Sequence, residues 1–186
     1  MDQPAARLDV HVGELRQLFN SLDPAPFRER DLDPEAERFI VEWGRGAPGD
    51  GPLALAVHVA AAVPAPGESG LLAQSVRDHF AREAASTRNR LRRLFRNGRA
   101  SLAVGLLFVA AANVVGDVVG ELLRGQQYGR VLAESIVIGA WVALWRPLEI
   151  FLYDWWPIRA EARLFDRLAA MSVDVVPAPA AAGSAP

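Results

Sequence analysis

Residues 100–116 read ASLAVGLLFVAAANVVG, 17 consecutive positions without a charge. What surrounds such a helix decides the fold. A helix on the surface of a soluble domain carries polar residues along its outer side. Here only Ser101 and Asn113 interrupt the apolar run. Adding Asp117 to Gly120 brings the segment to about the 20 residues that a bilayer core requires. In a chain of 186 residues little protein is left to enclose it. The expectation is a membrane-spanning helix over about 100–120. The competing reading is a helical hairpin buried inside a soluble protein.

A second apolar segment runs from Val131 to about Tyr153, interrupted by Glu134, Arg146 and Glu149. Its uncharged core, Ser135 to Trp145, is short and favours the competing reading. Two patterns outweigh it. Six arginines lie in 85–99 and four in 146–167, against two in the connecting loop 121–130. That asymmetry predicts both termini on the cytoplasmic side. The stretch WRPLEIFLYDWWPIR, 145–159, then places Trp145, Tyr153, Trp155 and Trp156 where the second helix leaves the bilayer, as in an interfacial aromatic belt. Arg146 and Arg159 are placed to reach lipid phosphates, and Pro147 is predicted to mark a bend.

Around this hairpin the sequence predicts a small α+β domain. LDVHV (8–12), PLALAVHV (52–59) and SVDVV (172–176) read as strands. Leu15, Leu18, Phe19 and Leu22 share one face of a first helix. Asp33-Pro34-Glu35 starts a second, with Ala36, Phe39, Ile40 and Trp43 on its inner face. A long helix is predicted from Leu71 to about Asn97, with Leu72, Val76, Phe80 and Ala84 buried. Asn97-Gly98 is predicted to bend the chain at the bilayer surface. PIRAEARLFDRLAAM continues as an amphipathic helix. The resulting organisation is a cytoplasmic domain over 1–98, a transmembrane hairpin over 99–156 (helices about 100–120 and 131–153), a completing helix and strand over 157–176, and a disordered tail over 177–186.

LFNSLDPAPFRERDLDPEAERFIVEW (18–43) and GAWVALWRPLEIFLYDWWPIR (139–159) resemble a group of uncharacterised small bacterial membrane proteins. The likeness extends from about residue 8 to 176. It implies a two-helix membrane protein and carries no catalytic residue onto this chain.

Composition removes much chemistry. All 20 basic residues are arginine, and with abundant Ala, Gly and Pro this points to a GC-rich, bacterial coding sequence. Without lysine there is no Schiff base and no phosphate-loop lysine. Without cysteine there is no thiol nucleophile, disulfide or thiolate metal site. The N-terminus lacks the apolar core of a secretory signal. Hydrophobic residues make up 51% of the chain, an ordinary share, so their concentration in 100–156 is what informs.

Several polar constellations remain. His11, His58 and Asp174 each sit between valines on a predicted strand. If one sheet face gathers them, two histidines and a carboxylate are a metal-ligand set, although any half-exposed sheet alternates in this way. Asp78-His79 are adjacent on a helix and point apart, so they form no catalytic dyad and read as a solvated face. Asn113, Asp117 and Glu121 recur at i, i+4 and i+8, with Glu134 and Ser135 at matching depth. An interhelical polar contact fits them better than a conduction path. Arg88, Arg92, Arg96 and Arg99 form one basic stripe, and Arg159, Arg163 and Arg167 another. Beside a membrane, anionic lipid is their nearer partner than nucleic acid. The mixed charges of Arg28-Glu29-Arg30-Asp31 suggest a local ion-pair network.

The expectation is therefore a non-enzymatic accessory or scaffold protein of the bacterial cytoplasmic membrane, multi-pass, with both termini inside. It needs no cofactor and no nucleic acid. Its partners are lipids and either further copies of itself or another membrane protein. Two other classes stay open. One is a small oligomeric ion or proton conductor using Asp117 and Glu134. The other is a metal-dependent enzyme using His11 and His58.

Overall fold

Three short segments rich in valine, leucine and alanine are strands: β1 (Ala6–Val12), β2 (Leu53–Val59) and β3 (Ser172–Pro177). The structure, a computed structural model, describes residues 6–19, 31–60, 67–126 and 128–177. The strands form one parallel sheet in the order β1-β2-β3. The parallel arrangement follows from the connections, since helical chain intervenes after β1 and after β2 and no tight turn joins neighbours. Register sets Leu8 beside Leu55, Leu55 beside Val173, and His11 beside His58. A side-chain period of two then sorts the faces. Leu8, Leu55, Val57 and Val173 take one, and Arg7, Asp9, His11, His58 and Asp174 the other.

The described residues fall into two compact units. One comprises the chain up to Thr87 together with the chain from Ala160, and the other is Arg88–Arg159. In the first, helix α1 (Pro34–Gly46) starts where the sequence predicts. The Asp33 carboxylate accepts hydrogen bonds from the Glu35 and Ala36 amides at 2.9 and 3.4 Å. Pro34 occupies a first-turn position whose N–H would have had no helical partner. The inner face is turned relative to expectation. Ile40 and Gly44, four residues apart, lead it, and Phe39, about 100° away around the helix, is 54% exposed. A Cβ on Gly44 would stand 3.1 Å from Leu164, so α1 and the last helix, α5 (Trp155–Ala169), approach closely there. Leu15–Leu18 is a single 3-10 turn instead of a longer helix, because Phe19 bridges to Leu32 immediately after it. Leu22, the Arg28-Glu29-Arg30 cluster and the tail from 178 lie outside the described residues.

Helix α2 runs unbroken from Glu68 to Leu122, 55 residues. Its first part supplies Leu72, Val76, Phe80 and Ala84 to the core beneath the apolar sheet face, where α5 adds Phe165 and Leu168. Burial of each large side chain contributes about 1.5–3 kcal/mol. Helical hydrogen bonding continues through Asn97-Gly98, where a bend was expected. Gly98 serves close approach instead, since a Cβ there would stand 2.9 Å from Ile150.

The second unit pairs the remainder of α2 with α3 (Gly129–Ala143), α4 (Trp145–Glu149), a π turn (Ile150–Asp154) and the start of α5. The break falls at Leu144 and not at Pro147. A proline ring clashes with the carbonyl four residues earlier, here that of Ala143, so the helix ends there. Pro147 itself sits buried within the restarted α4. The Trp155 indole N–H donates to the Phe151 carbonyl at 2.9 Å, occupying an acceptor inside the π turn.

Candidate functional site

Within the hairpin the large residues face outward. Val104 is 68% exposed, Leu107 73%, Ile138 65% and Val142 68%. Only 17% of the most apolar window of α2 is buried, and 22% of that in the run Gly129–Ala169. Both helical runs are long and apolar enough to cross a membrane by length and composition. The inward positions are small. Gly98, Gly105, Ala112, Gly116 and Gly120 form one seam, with Gly105 against Leu144 and Gly116 against Ala133 and Val137. Small residues let backbones approach closely enough for dispersion contacts to hold two apolar helices together. Reading Gly98 as a bend missed this seam. Its signal was available in the spacing of seven, seven, four and four.

The polar residues of the hairpin are mostly satisfied on their own helix. The Asn113 amide donates to the Val109 carbonyl at 2.8 Å, and the Ser135 hydroxyl to the Val131 carbonyl at 2.7 Å. Glu121 pairs with Arg124 at 3.1 Å and Glu134 with Arg130 at 3.3 Å. Asp117 and Glu134 line a common open groove of about 420 Å³ with Gly116, Ala133, Val137 and Ile138.

The aromatic segment divides by role. Trp145, Tyr153 and Trp156 are 66%, 69% and 64% exposed. The Trp145 indole donates to Glu149 at 2.9 Å, and Arg146 joins Glu149 at 3.0 Å and Asp154 at 3.4 Å. Arg146 is thus engaged by acids of its own segment. Trp155 packs near Phe95 and Trp156, with the Arg159 guanidinium 5.6 Å from its ring centre. Arg88, Arg92, Arg96, Arg99 and Arg163 are exposed. Arg167 is not part of an open stripe. It is half-buried and donates to the Gly51 carbonyl at 3.0 Å.

On the polar face of the sheet, His11 and His58 are register partners, with ring centres 4.5 Å apart and planes 11° from parallel. Stacked rings hold their nitrogen lone pairs in two separate planes, so the pair does not converge on one ion. Asp174 is opposite Ala56, two positions along, and His58 Nε2 instead meets Asp9 Oδ1 at 2.9 Å. That hydrogen bond, opposed by partial burial and aided by nearby Arg7, holds the Asp9 carboxyl below its ordinary range. Among the described residues, no group of three or more His, Cys, Asp or Glu side chains is placed to hold a metal ion.

His79 departs from the solvated face expected of it. It is 5% exposed, with Nδ1 3.5 Å from Asp31 Oδ1 and Nε2 3.4 Å from Glu37 Oε2. The reason is helical phase. His79 lies at i+7 from Leu72 and i+3 from Val76, on the flank of the buried face. Asp31 is also held by Arg82 at 2.8 Å.

No protein-family model, no curated protein and no solved structure matches the chain.

Proposed function

We propose that the chain is an integral membrane accessory or scaffold protein, non-enzymatic, acting through contacts with lipids and with a membrane protein or further copies of itself. The observation that carries this reading is the outward apolar surface of the hairpin, with Leu107 at 73% and Val142 at 68% exposure. In water each such side chain forgoes about 1.5–3 kcal/mol of burial, and contiguous patches of this kind mark interaction surfaces. In a bilayer the same surface is solvated. At 1.5 Å per residue, Ala100 to Leu122 spans about 35 Å, and Gly129 to Asp154 about 39 Å, enough for a core of about 30 Å. The arginine asymmetry along the chain supports both termini inside, and exposed Trp145, Tyr153 and Trp156 suit the exit of the second run.

The test is extraction of the expressed full chain from washed membranes, followed by native mass spectrometry. Retention through an alkaline wash, release only by detergent, and a fixed stoichiometry with a second polypeptide are expected. Release without detergent overturns the membrane reading. A second reading, an oligomeric ion or proton conductor, is favoured by one observation: Asp117 and Glu134 share a groove. Ion flux in liposomes that is unchanged by Asp117→Asn removes it.

A further inference from the structure

Sequence periodicity singles out Arg88, Arg92, Arg96 and Arg99, yet the arginines that line a groove are two others. Arg90, Arg93 and Asn97 follow one another at i, i+3 and i+7 along one side of α2. With Leu94, Asp154, Pro157 and Ile158 they bound an open groove of about 450 Å³. We propose that this groove binds a phosphate group, carried by the headgroup of an anionic membrane lipid. The proposal rests on the membrane reading above and names its lipid partner.

The groove carries an excess of positive charge, two arginines against Asp154. Neither Arg90 nor Arg93 forms an ion pair among the described residues, whereas Arg82, Arg124, Arg130 and Arg146 each do. The one acid of the groove, Asp154, has its Oδ2 3.4 Å from Arg146 Nη1, so a third arginine outside the groove takes up its charge. Two adjacent guanidinium groups remain without a counter-charge. Each presents parallel N–H donors in a fixed fork. The phosphodiester of an anionic lipid headgroup has two charged oxygens whose several lone pairs can accept from both forks, with the Asn97 amide as a further donor.

One feature favours a lipid as the source of that phosphate. The groove has an apolar side built from Leu94, Pro157 and Ile158, which a free ion would not use. A separate groove of about 370 Å³ is lined by Leu91, Phe95, Phe151, Trp155 and Arg159 and shares no residue with the first.

The experiment uses the full chain in a neutral detergent and reads thermal unfolding by tryptophan fluorescence. Three additions are compared at equal concentration: short-chain phosphatidylglycerol, phosphatidylcholine of the same chains, and inorganic phosphate. The proteins are wild type, Arg90→Gln/Arg93→Gln, and Arg38→Gln as an exposed control on α1. Phosphatidylglycerol is expected to raise the unfolding temperature of wild type and Arg38→Gln. Its affinity for the double variant should fall at least about tenfold, the loss of one charge-assisted hydrogen bond or more. Equal unfolding temperatures without lipid establish that the double variant folds. A phosphatidylcholine shift equal to that of phosphatidylglycerol, or a phosphatidylglycerol shift that survives in the double variant, overturns the proposal. An equal shift from inorganic phosphate overturns the lipid assignment and makes the site one for free phosphate. Failure here by a chain that still needs detergent for extraction leaves the membrane reading standing, so the two failures are distinguishable.

Discussion

Helix α2 is continuous, yet its two halves invert the usual placement of side chains. In the first half the large residues are inside: Leu72 and Phe80 are 0% exposed and Val76 1%. In the second half the large residues are outside and the small ones inside: Val104 and Leu107 are 68% and 73% exposed, while Ala112 is 7% exposed and Gly105 is buried. On the membrane reading proposed above, the difference follows from what solvates each half. Water drives Leu and Phe inward, because their burial is the main favourable term in folding. Where the surroundings are as apolar as leucine, that drive vanishes. Association then depends on close packing, which favours glycine and alanine at the contact.

The strongest way to break this comparison is a pair of truncations. Phe80→Ala removes a side chain from a closed core and should cost about 3–5 kcal/mol. Leu107→Ala removes one from the outer surface of the hairpin and should cost less than about 0.5 kcal/mol. Denaturant unfolding of both variants in the same detergent measures the contrast. Equal losses would mean that the second half is enclosed by protein, and the inversion would be false.

Glycines sharpen the same point. At Gly105 a new Cβ would stand 2.7 Å from Leu144, whereas Gly139 has nothing within 4 Å. Gly105→Val should destabilise the hairpin by about 1–3 kcal/mol through overpacking. Gly139→Ala should stabilise it by up to about 1 kcal/mol, since alanine is the better helix former. Thermal unfolding in detergent reads both signs. A stabilising Gly105→Val would remove the packing seam.

Much of this architecture was legible in the residues, for reasons that also explain the misses. The strands were found because LDVHV and SVDVV alternate with a period of two and LALAVHV is a short apolar run bounded by Gly-Pro and a turn region. The α1 start was found because capping is local chemistry between Asp33 and the next two amides. What local pattern cannot contain is the neighbour. Gly98 read as a bend until Ile150 stood against it. His79 read as solvated until Asp31 and Glu37 met its two nitrogens. Arg167 completed an arginine stripe in sequence but bonds the Gly51 carbonyl in space. The groove arginines, Arg90 and Arg93, were passed over for a stripe with better periodicity. Only the proximity of Pro157 and Ile158 distinguishes them.

Capping gives a smaller effect, confined to the first unit. Asp33→Ala leaves the Glu35 and Ala36 amides without their acceptor and should cost about 0.5–2 kcal/mol. The loss should appear in unfolding of the sheet unit and leave the hairpin signals, read from Trp145 and Trp156, where they were. Equal loss in both would show that the two halves of α2 unfold as one.

The smallest effect lies on the polar face of the sheet, where solvent screens what the core does not. Asp9 is 47% exposed and accepts from His58 Nε2 at 2.9 Å, with Arg7 Nε at 3.2 Å. The His58 hydrogen bond is the main reason that its carboxyl stays ionised below the usual aspartate range. A depressed folded-state value stabilises the fold at every pH above that range, where the carboxylate is charged in both states. The contribution is lost as pH falls below the range and through the folded-state value. Wild type should therefore lose stability more steeply at the acid end than Asp9→Asn, and the two curves should converge at the lowest pH. Urea unfolding followed across that range measures the slope. Parallel curves would mean that the carboxylate is held no better by His58 in the folded chain than by water in the unfolded one, and that this face of the sheet is bound to the fold by its alanines and valines alone.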